Sequence, residues 1–108
     1  VDKNILGASL DTIQKKWNWK TCWGWDYPLL AMSAAAINRP EQAVDFLMME
    51  APKNRYLVNG HNYQDARLSI YLPGNGGILS AVAMMCIADR FPKDGKWKVQ
   101  WENLQTIK

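Results

Sequence analysis

Asp26-Tyr27-Pro28-Leu29-Leu30-Ala31-Met32-Ser33-Ala34-Ala35-Ala36-Ile37-Asn38-Arg39-Pro40-Glu41-Gln42-Ala43-Val44-Asp45-Phe46-Leu47-Met48 is the stretch that decides the fold. Pro28 suits the first turn of a helix, because its missing N–H has no partner there and its φ is already helical. Asp26, two residues earlier, can cap that helix. Leu29, Leu30, Ser33, Ala36 and Ile37 then follow at helical spacing. Pro40 disfavours helical geometry at Arg39 and opens a new helix, expected over about residues 40–50 with Ala43, Val44, Leu47 and Met48 inward. Two helices joined so briefly form an antiparallel αα-hairpin, and the alanines of the first permit close approach.

Working outward, Leu10, Ile13 and Trp17 predict a first helix over residues 9–17 capped by Ser9, with Leu6 one turn earlier. Downstream, residues 51–75 are polar and punctuated by Pro52, Gly60, Pro73 and Gly74, a long connection of the kind that carries function. Tyr56-Leu57-Val58 and Leu68-Ser69-Ile70-Tyr71-Leu72 alternate as short strands do. A fourth helix is expected after Gly74-Asn75-Gly76-Gly77, running to about Ala88 with Ile78, Leu79, Val82, Met85 and Cys86 inward. After the turn-like Phe91-Pro92-Lys93-Asp94-Gly95, Trp97, Val99 and Trp101 alternate with polar residues, the period of a half-buried strand. The expected class is mainly α, with a short C-terminal β segment.

The 108 residues suit one domain, and with 48% apolar and 21% charged residues the chain reads as globular and not disordered. No apolar run approaches the roughly 20 residues of a membrane helix. The net charge of +3 comes from bases scattered along the chain, Lys15 and Lys16 being the only adjacent pair. That pattern argues against a nucleic-acid partner, which needs a basic stripe. Cys22 and Cys86 with one histidine do not make a structural zinc site, and no metal or cofactor is expected. Cys86 reads as a buried free thiol, and the redox compartment stays open. The chain begins Val1-Asp2-Lys3, which reads as a processed product, a trimmed chain or a piece of a longer one.

Six tryptophans in so short a chain are hard to explain by core filling alone, since each buried indole N–H wants a partner. Trp17 continues the first helical stripe, while Trp23 and Trp25 fall on loop sequence and can offer flat faces to a sugar ring. His61, the only histidine, sits in Asn59-Gly60-His61-Asn62-Tyr63-Gln64, a run able to hydrogen-bond a polyhydroxylated ligand. Its role as a ligand or catalytic group stands level with a loop-stabilising one. Gly74 to Gly77 have the look of an anion cradle, though a turn into a close-packed helix explains them better, and Asn75 points a polar group from that turn. Glycoside hydrolysis requires two carboxylates. The loops offer Asp26, which can instead be a helix cap, and Asp65 in a solvated stretch; neither is assigned as catalyst.

Together, residues 23–28, 59–64, 71–77 and 97–104 resemble the C-terminal part of a bacterial six-hairpin glycosidase, similar in layout to glycoside hydrolase families 65 and 95. The resemblance implies that the αα-hairpin and the fourth helix come from an (α/α)6 toroid, followed by a β segment beginning at Trp97. It implies an oligosaccharide ligand contacted by Trp23, Trp25, Asp26, His61, Asn62, Tyr63, Gln64 and Asn75. It also implies a catalytic acid upstream of Val1 and periplasmic or extracellular residence. In the fucosidase-like branch a carboxylate precedes a turn like Gly74 to Gly77, and here Pro73 stands in its place. Apart from the remainder of a catalytic domain, the isolated chain is expected to expose apolar faces and self-associate. The rival reading is a non-catalytic helical interaction or homodimerisation module.

Overall fold

A computed structural model describes residues 1–86. Its elements run α1 (Lys3–Lys16), α2 (Asp26–Ala36), α3 (Pro40–Leu47), β1 (Arg55–Tyr56), β2 (Asn62–Tyr63) and α4 (Leu72–Met85). The molecule is thus mainly helical with a small two-stranded sheet. The expected Trp97 to Trp101 strand, the turn at Phe91 to Gly95 and the run of α4 to Ala88 lie outside the described residues.

The hairpin is as the prolines require, and its corner has a specific chemistry. Asn38 takes the left-handed conformation, φ 60°, which asparagine tolerates better than most residues. The Asn38 and Arg39 N–H groups then donate to Ala35 O at 3.1 Å and Ala34 O at 2.9 Å. This double closure satisfies carbonyls that the end of α2 would leave orphaned. Pro40 opens α3. That helix stops at Leu47, three residues short of the expected end, and its third buried residue is Phe46, whereas Met48 is 68% exposed.

α1 begins six residues before the expected cap. Asp2 is the cap, accepting from Asn4 N at 2.8 Å and Ile5 N at 3.1 Å, while the Ser9 hydroxyl donates back to Ile5 O inside the helix. Gly7 sits within α1 because Arg39 lies against it; a Cβ there would strike the guanidinium. Arg39 Nη1 donates to Gly7 O (3.3 Å), Asp11 Oδ1 (2.8 Å) and Gln42 Oε1 (3.2 Å), clamping α1 to the hairpin corner. Trp17 caps the C-terminus of α1 and is 43% exposed, not core as its spacing implies.

α2 lies at the centre, against α1, α3 and α4. Leu10, Leu30, Ala31, Ala34, Ala35, Ala43, Val44, Phe46, Ala81 and Met85 form the core. Trp19 packs at its margin, with ring centroids 5.7 Å from Tyr27 and 6.2 Å from Phe46, and its indole N–H donates to Gln14 O. Tyr27 is fully buried and donates its hydroxyl to Trp19 O at 3.1 Å. Burial, with smaller contributions from Cys22 and Asp26, pushes its phenol up to about 12. It therefore stays a neutral donor through the physiological range.

α4 starts at Leu72 with Pro73 in its first turn, so Gly74 to Gly77 lie inside the helix and not ahead of it. The glycines allow contact: a Cβ on Gly77 would lie 2.6 Å from Pro28 Cγ, and one on Gly74 would strike the Asn62 side chain. Gly74, Ala81 and Met85 face inward, while Leu79, expected inside, is 72% exposed. In the long connection, β1 and β2 pair antiparallel, Arg55 with Tyr63 and Tyr56 with Asn62. Leu57 and Val58 fall in the turn closed by Gly60, whose φ of 85° suits glycine. Leu68 forms only an isolated bridge with Asp65.

Candidate functional site

The two turns singled out by composition, Trp23-Gly24-Trp25 and Asn59 to Gln64, meet through buried amides. Gln64 is 4% exposed and Asn62 is 0% exposed. Gly24 N donates to Gln64 Oε1 at 2.8 Å across forty residues of chain, and Gln64 Nε2 donates to Asn62 Oδ1 at 2.7 Å and Lys53 O at 3.0 Å. Asn62 Nδ2 donates to Lys53 O and Arg55 O. From the other side, Asn62 N donates to Asn75 Oδ1 at 2.9 Å, and Asn75 Nδ2 to Gly60 O at 2.7 Å.

These contacts bear on three of the residues that the resemblance implies for the ligand. Asn62 and Gln64 are enclosed, and their amides are spent on the chain, as are both ends of the Asn75 amide. A buried polar group left unpaired is costly, so the Asn62 and Gln64 amides stay with their internal partners, while Asn75 is only partly buried. They are the frame that holds the site's backbone.

Outside the frame lie the aromatic side chains. Trp23 is 44% exposed and Trp25 48% exposed on either side of buried Gly24. Asp26 Oδ2 accepts from Trp23 N at 2.8 Å while Asp26 N donates to Trp23 O at 3.1 Å, so this carboxylate closes the turn ahead of α2. The Trp23 ring lies 5.8 Å from that of Tyr71, and the Lys53 ammonium lies 3.7 Å above the indole. Trp23 is therefore partly covered by neighbours, whereas no ring or cation contact covers Trp25 among the described residues. The pKa shifts place further groups in the same neighbourhood. Burial and then Asp26 raise the Cys22 thiol, which Lys53 lowers in part, and burial and then Asp26 raise the Tyr71 phenol. Tyr71 lies in a motif that implies no contact role for it and Lys53 lies in none; their packing on Trp23 reveals both.

His61 is partly buried. Its backbone is engaged at both ends, N–H to Asn59 Oδ1 and carbonyl from Leu57 N, while Nδ1 is buried with no hydrogen-bond partner among the described residues. No ring contact or hydrogen bond joins it to either indole among those residues. Tyr63 lies elsewhere, under the Arg55 guanidinium at 5.4 Å. With Met48, Met49, Tyr56 and Arg55 it lines an open groove of about 650 Å³ that contains neither Trp23 nor Trp25. The structure thus gathers Trp23, Trp25 and Asp26, leaves Tyr63 to a separate groove, and uses Asn62, Gln64 and Asn75 internally.

Asp65 Oδ1 accepts from Arg67 N and Leu68 N, closing its own turn. Among the described residues, no three His, Cys, Asp or Glu side chains form a metal-binding group, Cys22 and Cys86 are free, partly buried thiols, and no helix is long and apolar enough to cross a membrane. Comparison with protein-family models, with curated proteins and with solved structures finds no match to this chain.

Proposed function

We propose that this chain forms part of the sugar-binding cleft of a glycoside hydrolase, with Trp25 as the open stacking surface and Trp23, Tyr71 and Asp26 shaping its edge. The observation that carries the reading is the pair of half-exposed indoles held on a turn whose central N–H is pinned by buried Gln64. An exposed aromatic side chain fixed by a rigid frame loses little freedom when a ligand stacks on it. In this reading the helices belong to an (α/α)6 toroid, the protein acts in the periplasm or outside the cell, and His61 borders the cleft. The catalytic acid comes from outside residues 1–86, since Asp26 and Asp65 are each occupied in closing a turn. The chain alone is inactive.

Trp25→Ala is expected to weaken oligosaccharide binding about fivefold, an aromatic contact contributing on the order of 1 kcal/mol. Isothermal titration on the protein at its native length measures this. No glycan binding, or unchanged affinity in the variant, overturns the reading.

A second reading, a helical interaction or homodimerisation module, draws on an observation that a toroid fragment would share. α4 carries no charged residue in its 14 positions, yet Leu72 is 63% and Leu79 72% exposed. A helix apolar on every side is ordinarily buried on every side. The 108-residue chain is accordingly expected to self-associate with rising concentration in light scattering. A discrete dimer that binds no glycan would select the module; glycan binding that depends on Trp25 would select the cleft.

A further inference from the structure

Resting on the carbohydrate reading above, we infer that the ligand carries an anionic substituent, a carboxylate or a sulfate, received by Lys53 beside the Trp23-Gly24-Trp25 turn. The placement of Lys53 begins with its backbone. Its carbonyl accepts from both Asn62 Nδ2 at 3.2 Å and Gln64 Nε2 at 3.0 Å. The same Gln64 side chain accepts from Gly24 N. One buried glutamine therefore holds both the Lys53 backbone and the tryptophan turn, so the frame that fixes the indoles also fixes the root of the lysine.

Its side chain then reaches over Trp23, with the ammonium 3.7 Å from the ring centroid. A lysine offers three N–H donors and accepts nothing. The indole face satisfies the charge on one side only. Among the described residues no carboxylate lies within ion-pair distance of Lys53. Asp26 is the acidic group of this neighbourhood, and its oxygen is committed to Trp23 N at the start of α2, where the helix dipole also favours it. The result is a positioned cation with open donors on Trp23, two residues from the half-exposed Trp25 on the same turn. A sugar ring against Trp25 bearing a carboxylate or sulfate would meet both. A charge-assisted hydrogen bond of this kind is about twice as strong as one between neutral groups.

The test is titration of the native-length protein with a uronic-acid oligosaccharide, a sulfated oligosaccharide and the neutral oligosaccharide of the same backbone, at low and high salt. At least one anionic ligand is expected to bind about tenfold tighter than the neutral one, with the advantage shrinking as salt rises. The two anionic arms tell carboxylate from sulfate. Lys53→Met, which keeps the stem over Trp23, is expected to bring anionic and neutral ligands to parity, and Lys53→Arg to keep the preference. Equal affinities in the unmutated protein, a preference indifferent to salt, or a preference retained by Lys53→Met each overturn the inference. Neutral binding that Trp25→Ala abolishes, without an anionic preference, overturns it and leaves the carbohydrate reading standing. Failure of every oligosaccharide to bind removes both.

Discussion

Asn62→Ala is expected to destabilise the protein by about 3–4 kcal/mol, among the largest single-residue effects available in this chain. The side chain is fully buried and donates to Lys53 O and Arg55 O while accepting from Gln64 Nε2. Its removal leaves buried Gln64 Nε2 without one of its two acceptors, at about 1–3 kcal/mol for a buried unsatisfied group. It also opens a void against Gly74, whose lack of a side chain is fitted to this amide. Because Gln64 leans on Asn62 and Gly24 leans on Gln64, the tryptophan turn should loosen as well, and any affinity for oligosaccharide should fall with it. Urea denaturation followed by circular dichroism measures the stability change, and Trp fluorescence follows the turn. A loss below about 1 kcal/mol would mean that water replaces the amide at no great cost and that the frame is not rigid. Asn62→Asp should be no better tolerated, since it turns a donor to two carbonyls into an acceptor.

The second large effect reverses a general rule. Replacing glycine by alanine inside a helix ordinarily stabilises by about 1 kcal/mol. Gly76→Ala should do this, for its added Cβ meets nothing within 4 Å. Gly74→Ala, two residues away in α4, should instead destabilise by about 2–3 kcal/mol, the cost typical of overpacking. Its Cβ would fall on Asn62 Oδ1, with Asn62 Cγ at 2.6 Å, and that side chain is short, buried and tethered, so it cannot swing aside. Thermal unfolding of the two variants side by side gives opposite shifts if this packing is correct. Two shifts of the same sign would place α4 differently against the hairpin.

These variants also show where a reading of residues succeeds and where it stops. The α2 to α3 hairpin was legible because its signals are local: Pro28 and Pro40 each set helical starts, and Asn38 ends α2 by taking a conformation that few residues accept. The glycine run has the composition of a turn ahead of a helix, yet it lies within α4. Local propensity disfavours glycine there, and only the approach of Asn62 and Pro28 explains it. In α1, Gly7 hid the true start at Asp2 for the same reason, its partner being Arg39 from the hairpin corner.

The candidate site divides along the same line. That Trp23, Trp25 and Asp26 share one turn follows from adjacency, and sequence alone determined it, together with the helical hairpin and the mainly helical class. These are consequences of spacing, proline geometry and backbone preference, which act over a few residues. Tertiary structure alone decided that Asn62, Gln64 and Asn75 would serve the chain, that Tyr63 would face a different groove, and that Lys53 and Tyr71 would join Trp23. An amide or an ammonium has the same donors wherever it stands. Which partner takes them depends on burial and on segments brought together across as many as forty residues, as Gly24 and Gln64 are.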